Sequence, residues 1–134
     1  MAVVDLNHYN LRASLEVLEG IRDWYEQVVG LTVGERPPFG NRGFWLYAGA
    51  RPVLHLSEEA RGEHHPAPGQ GTFDHVAFTC DDFEATSARL GALGVAFRVA
   101  DVPLTRTRQI FLRDPAGNGV ELNFDFPPLP AGAR

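Results

Sequence analysis

Four side chains in this 134-residue sequence have the chemistry of metal ligands and a spacing that repeats. His8 and His55 lie 47 residues apart, and His75 and Glu121 lie 46 apart. Three imidazole nitrogens and one carboxylate suit a divalent first-row transition metal, whereas calcium or magnesium would want more oxygen and copper(I) would want sulfur. The expected cofactor is therefore one divalent transition metal per site: zinc, nickel, cobalt, manganese or iron(II). Taken singly, each residue has a plainer explanation. Glu121, between Val120 and Leu122, would look into solvent, and a lone strand histidine would be a hydrogen-bonded surface or core residue. Four of them at matched positions are harder to explain that way.

The elements that must position these residues follow from hydrophobic periodicity. Alternation predicts a strand over 6–11, then a helix that begins after an N-cap at Ser14, carries Leu15, Leu18, Ile21 and Val28 at helical spacing, and stops at Gly30. Residues 31–35, 44–48 and 53–57 read as three strands. The pattern then begins again, with a strand over 73–79, a helix capped by Asp81 or Asp82 that carries Phe83, Thr86, Leu90 and Leu93 and ends at Gly94, and strands over 95–99, 109–113 and 119–124. The run Asp114-Pro115-Ala116-Gly117-Asn118 has the composition of a turn. Two copies of one strand-helix-three-strand unit result. We set the first module at 1–58, a connecting loop at 59–71, the second module at 72–126 and a tail at 127–134. His64 and His65, adjacent in the loop, read as solvated side chains.

Strand parity adds an independent line. Successive side chains alternate between faces, so the face bearing the four candidates also carries Leu6, Asn10, Val53, Ser57, Ala77, Thr79 and Asn123. The other face carries Tyr9, Leu11, Leu54, Leu56, Val76, Phe78, Val120, Leu122 and Phe124, as a sheet packed on amphipathic helices requires. The candidates look away from the helices, on a curved sheet that encloses a cavity.

Composition excludes several classes. The net charge is -5 and every basic residue apart from the five histidines is Arg, so a broad basic face for nucleic acid is not expected. Without Lys there is no Schiff-base chemistry and no phosphate loop that needs one. Cys80 is the only cysteine, which excludes an internal disulfide and a Cys-rich zinc site. No run of about 18 apolar residues occurs, and residues 1–5 show no basic region followed by a long apolar run. A soluble cytoplasmic protein with no membrane partner is expected.

The two repeated units, the His on each opening strand and the closing Asp-Pro-x-Gly-Asn-x-x-Glu run of residues 114–121 together resemble the vicinal oxygen chelate superfamily. That superfamily includes glyoxalase I, methylmalonyl-CoA epimerase, extradiol dioxygenases and the fosfomycin- and bleomycin-resistance proteins. The resemblance covers roughly residues 5–125. It implies an α+β fold in which two βαβββ modules form an open, cup-shaped mixed sheet with helices on the outer face. It also implies that His8, His55, His75 and Glu121 are the metal ligands. Glyoxalase I carries Glu where this chain has His55, so its acid and base pair does not carry over intact.

The implied function is that of a metal-dependent lyase or isomerase. A small substrate with two neighbouring oxygens chelates the metal, an enediolate-type intermediate is stabilised, and Glu121 moves the proton. An iron(II) extradiol-type dioxygenase using His8, His75 and Glu121 is one alternative. A metal-free small-ligand or drug-binding protein is the other. Tyr47, Thr107, Arg108, Gln109 and Phe111 are the candidates for substrate contact, Arg108 toward an anionic substrate and Phe111 as an apolar wall. A homodimer is expected, because it covers the open edges of the sheet.

Overall fold

The computed structural model describes residues 6–60, 73 and 75–127. The chain divides into two compact units, Met1–Gln70 and Gly71–Arg134. The expectations for His64 and His65, for most of the connecting loop and for the tail beyond Pro127 lie outside the described residues.

The first unit contains β1 (Tyr9–Ala13), α1 (Leu15–Trp24), a π-helical turn (Tyr25–Val29), β2 (Thr32–Gly34), β3 (Gly43–Ala48) and β4 (Arg51–Glu58). Ser14 caps α1 as its spacing predicts, its hydroxyl accepting from the Val17 amide at 3.4 Å. The helical run ends at Gly30, whose φ of 92° is a left-handed conformation that favours glycine. The sheet order is β1-β4-β3-β2, with β1 parallel to β4 and the remaining pairs antiparallel. Leu18, Ile21 and Tyr25 are fully buried with Leu46, Leu54 and Leu56, where α1 packs on β1, β3 and β4.

The second unit repeats this plan with β5 (His75–Thr79), α2 (Phe83–Ala92), β6 (Arg98–Asp101), β7 (Thr107–Arg113) and β8 (Gly119–Asp125). Its sheet order is β5-β8-β7-β6, again with the opening strand parallel to the closing one. Asp82 caps α2 by accepting from the Ala85 amide at 3.0 Å. Leu90, Ile110, Val120 and Leu122 form the core, and Phe83 of α2 meets Phe124 of β8 edge to face at 5.4 Å between centroids. The α+β architecture of two βαβββ modules, each built on an open four-stranded mixed sheet, is thus the one expected. Among the described residues no helix is long and apolar enough to cross a membrane.

Several boundaries differ from the sequence reading, each for a physical reason. The β1–β4 ladder starts at Tyr9 and Leu54, so His8 stands one residue before the first paired position rather than within the strand. The stretch expected as a strand at 95–99 pairs instead at Arg98–Asp101, because the Val95 amide closes the end of α2 on the Leu90 carbonyl at 3.0 Å. Leu93, expected on the buried face of that helix, is 45% exposed because it follows the last helical turn.

Candidate functional site

The register places the four candidates in equivalent positions. In the first unit Asn10, two residues after His8, pairs with His55. In the second, Ala77, two residues after His75, pairs with Glu121. On the antiparallel side, Trp45 of β3 is the cross-strand partner of His55, and Phe111 of β7 is that of Glu121. One step further along, Gly43 pairs with Ser57 and Gln109 with Asn123. Each closing-strand candidate is therefore flanked by an aromatic residue, and the two units differ in the residue beside it.

In the first unit the candidates form a column of flat rings. His55 stacks on Trp45 with centroids 4.0 Å apart, and His8 stacks on His55 at 3.8 Å. Because a carbonyl only accepts, the 3.2 Å contact to the Pro52 oxygen puts the proton on His55 Nε2 and leaves Nδ1 with the free lone pair. The same reasoning applies to His8, whose Nδ1 donates to Asn7 Oδ1 at 2.7 Å and whose Nε2 is left as the lone-pair donor. Burial of His55 lowers its pKa below the ordinary 6.5, and the nearby His8 and Arg36 act in the same direction. The imidazole is thus held neutral, the form that ligates metal. The two histidine rings are within 15° of parallel, so their in-plane lone pairs do not converge, and a shared ion requires one ring to turn. His8, which is exposed, has the room to do so.

In the second unit the candidates form a hydrogen-bonded group. Glu121 is only 7% exposed, and a buried carboxylate must be given donors. Gln109 Nε2 donates to Oε1 at 2.6 Å, and His75 Nε2 lies 3.2 Å from Oε2. Because a carboxylate only accepts, this contact puts the His75 proton on Nε2; with that proton given up, the same two atoms stand at the roughly 3.0–3.4 Å that bonds of about 2.0–2.2 Å set between adjacent donors on a first-row metal. The donor set therefore fits a divalent transition metal in its chemistry and, for this pair, in its spacing. Within either unit no third His, Cys, Asp or Glu among the described residues joins the pair.

The turn that delivers Glu121 is itself built on a buried carboxylate. Asp114, 4% exposed, accepts from the amides of Ala116 and Asn118 at 2.9 and 2.8 Å, and Gly117 turns the chain at a φ of 85°. The Asp-Pro-x-Gly-Asn run fixes where β8 starts and hence which face Glu121 takes.

The candidates for substrate contact separate into two groups. Thr107, Gln109 and Phe111 alternate along β7 on the face of Glu121. Arg108 lies on the opposite face, paired with Asp101 at 2.7 Å and with its guanidinium 3.4 Å from the Phe126 centroid. Tyr47 donates its hydroxyl to the Glu35 carbonyl at 2.7 Å. The structure thus gathers Gln109 and Phe111 around Glu121 and engages Arg108 and Tyr47 elsewhere. The role of Trp45 was missed, although its register with His55 follows from the antiparallel pairing of two strands that the sequence does indicate. Arg98 and Arg113 were also passed over. Both line a cavity of about 400 Å³ in the second unit, beside His75, Phe111 and Gly119.

Residues 6–122 match the Glyoxalase/Bleomycin resistance protein/Dioxygenase superfamily. The chain belongs to that superfamily. No match is found among curated proteins. Among solved structures, a glyoxalase family protein from Bacillus anthracis is similar with a TM-score of 0.72 and 20% identity, over 93% of this chain and 98% of that one. Lactoylglutathione lyase from Agrobacterium tumefaciens is similar at 0.67 and 22% identity, over 92% and 95%. An antibiotic binding protein from Streptomyces sp. CB03234 is equally similar, at 0.67 and 24% identity, over 93% and 98%. At such identities the likeness speaks for the superfamily's fold, which its members put to both catalysis and binding.

Proposed function

We propose that this protein is a metal-dependent enzyme of the glyoxalase-like class, a lyase or isomerase acting on a small substrate with two neighbouring oxygens. The main support is the matched placement of His8–His55 and His75–Glu121, with the donors of the second pair 3.2 Å apart. These four residues would hold one divalent transition metal, which supplies Lewis acidity to the adjacent oxygens of a bound substrate. Glu121 moves the proton. Its Oε1 is held by Gln109, so Oε2, beside His75, is the oxygen that would take up and return a proton once it leaves the metal. Trp45 and Phe111, flanking the two closing-strand residues, restrict water there, and Thr107 and Gln109 offer polar contacts on the same face.

The same reading makes the protein a cytoplasmic homodimer with its open sheet edges covered by the partner. It also keeps the module limits at 1–58 and 72–126 around the loop 59–71, which is supported by the division between Gln70 and Gly71. The test is exchange of the proton next to the carbonyl of small 2-hydroxy ketones in heavy water, followed by NMR with the metal-supplemented chain. Catalysed exchange is expected, and Glu121→Gln should slow it by about 10²–10⁴, the usual contribution of a general base. Full turnover in that variant sinks the role of Glu121. Oxygen consumption with iron(II) and a catechol, without exchange, would point to the dioxygenase instead.

One observation favours a second reading. Trp45, His55 and His8 make a continuous stack of three flat rings, a surface suited to a planar ligand. As a metal-free binding protein, the chain purified without chelators would hold less than a few tenths of an equivalent of any transition metal and take up none when it is offered.

A further inference from the structure

The register on the open face of the second unit leaves a gap with a distinct electrostatic character. His75 of β5, Gly119 of β8 and Arg113 of β7 lie in one row across three strands, and Gly119 contributes no side chain between the other two. In the neighbouring row Arg98 of β6 pairs with Phe111 of β7, and its guanidinium lies 4.4 Å from the centroid of that ring. These five residues line the cavity of about 400 Å³, which has the volume of a small-molecule site. Among the described residues no carboxylate lines it. Arg113 donates one N–H to the Gly117 carbonyl at 3.0 Å, which steadies its guanidinium and leaves other donors free. Among the described residues neither Arg98 nor Arg113 has a carboxylate partner. Arg108 of the same unit, by contrast, spends its charge on Asp101.

Two guanidinium groups lining a gap whose nearest carboxylate, Glu121, is buried and held by Gln109 and His75 make an anion site, since planar donors of this kind match the oxygens of a carboxylate or a phosphate. We propose that the cavity over Gly119 binds an anionic oxyacid group of the ligand, with Arg98 and Arg113 as its donors and Phe111 against the adjoining apolar part. On the reading of this protein as a glyoxalase-like enzyme, on which the placement of the reacting end rests, the rest of the substrate extends along β8 from Gly119 toward Glu121. The substrate class is then a small carboxylate or phosphate ester that also carries neighbouring oxygens. The anion site itself stands on the arginines and the cavity alone.

The probes are benzoate, phenyl phosphate and the neutral benzamide, titrated into the full chain with ¹⁵N-labelled arginine and followed through the Arg Nε–H signals. The two anions should shift the Arg98 and Arg113 signals saturably, benzamide should not, and added salt should weaken the binding. Arg98→Gln and Arg113→Gln each remove a charged hydrogen bond and should weaken the anions about tenfold or more. Both positions are exposed, so the fold is expected to survive either change. A preference for phenyl phosphate identifies a phosphate ligand, and a preference for benzoate a carboxylate. Equal binding of benzamide, or anion binding unaffected by both substitutions, overturns the proposal. Metal content measured on the same samples separates the two questions. Metal without anion binding contradicts the anion site alone, and anion binding without metal contradicts the enzymatic reading alone.

Discussion

The two units share a strand order, a parallel pairing of first and last strands and an offset of two residues between the opening-strand histidine and the partner of the closing-strand candidate. They differ in how they keep that candidate. In the first unit it is His55, a group that can be buried neutral, and aromatic surfaces suffice: Trp45 on one side and His8 on the other. In the second it is Glu121, a charge that cannot be buried without donors, and polar groups take the place of rings: Gln109 and His75. The residue beside the aromatic position shows the divergence. A Cβ at Gly43 would collide with the Leu56 carbonyl, so no side chain can reach His55 from there, whereas the equivalent Gln109 holds Glu121. One backbone thus presents a ring-stacked neutral imidazole in one half and a tethered carboxylate in the other, and the chemistry of the burial decides which neighbours each needs.

That comparison can be broken or sharpened by substitution. The largest effects belong to what the halves share. Leu54→Ala and Leu122→Ala, at positions 0% and 1% exposed, should each cost about 2–5 kcal/mol in urea unfolding. Each should raise amide exchange mainly in its own unit, and equal loss of protection in both would show that the units do not keep separate cores. Next comes the turn that only the second unit builds on a carboxylate. Asp114→Ala strands two amides and should cost about 2–3 kcal/mol in the same measurement. Removing the tether is smaller: Gln109→Leu leaves a buried carboxylate oxygen without its donor and should cost about 1.5 kcal/mol.

The smallest effect is a pH dependence specific to the first unit. His55 has a pKa lowered on folding, chiefly by burial, so the unfolded chain binds its proton more tightly. Its contribution to stability is present above the ordinary value of 6.5 and is lost as the pH falls through that value toward the folded one. Urea midpoints of the metal-free chain should therefore fall between pH 7.5 and 5.5, and less so in His55→Gln. The same slope in that variant would place the titration elsewhere.

Much of this was legible in the sequence because it depends on local rules. Ser14, Gly30, Asp82 and Gly94 mark helix ends by their own hydrogen-bonding or conformational preferences, and the Asp114–Asn118 composition announces its turn. Strand parity correctly separated Glu121 and Asn123 from Val120, Leu122 and Phe124, since alternation is a property of any strand. What was not legible depends on pairing between strands. The relation of Trp45 to His55, the tether from Gln109 to Glu121 and the row of His75, Gly119 and Arg113 are all set by register, which no single segment contains. Arg108 stood out through its cluster with Arg106 and Thr107, yet parity alone assigns it to the face opposite Gln109, where Asp101 claims its charge.

On the proposed function, one metal ion draws on both unlike pairs. The direct measurement is metal content and uptake by the full chain purified without chelators, compared with the His8→Ala/His55→Ala and the His75→Ala/Glu121→Ala double variants. The account predicts close to one equivalent of a divalent transition metal in the parent chain and its loss in both variants alike. A parent chain that takes up none, or retention of the metal when either pair is removed, would contradict it.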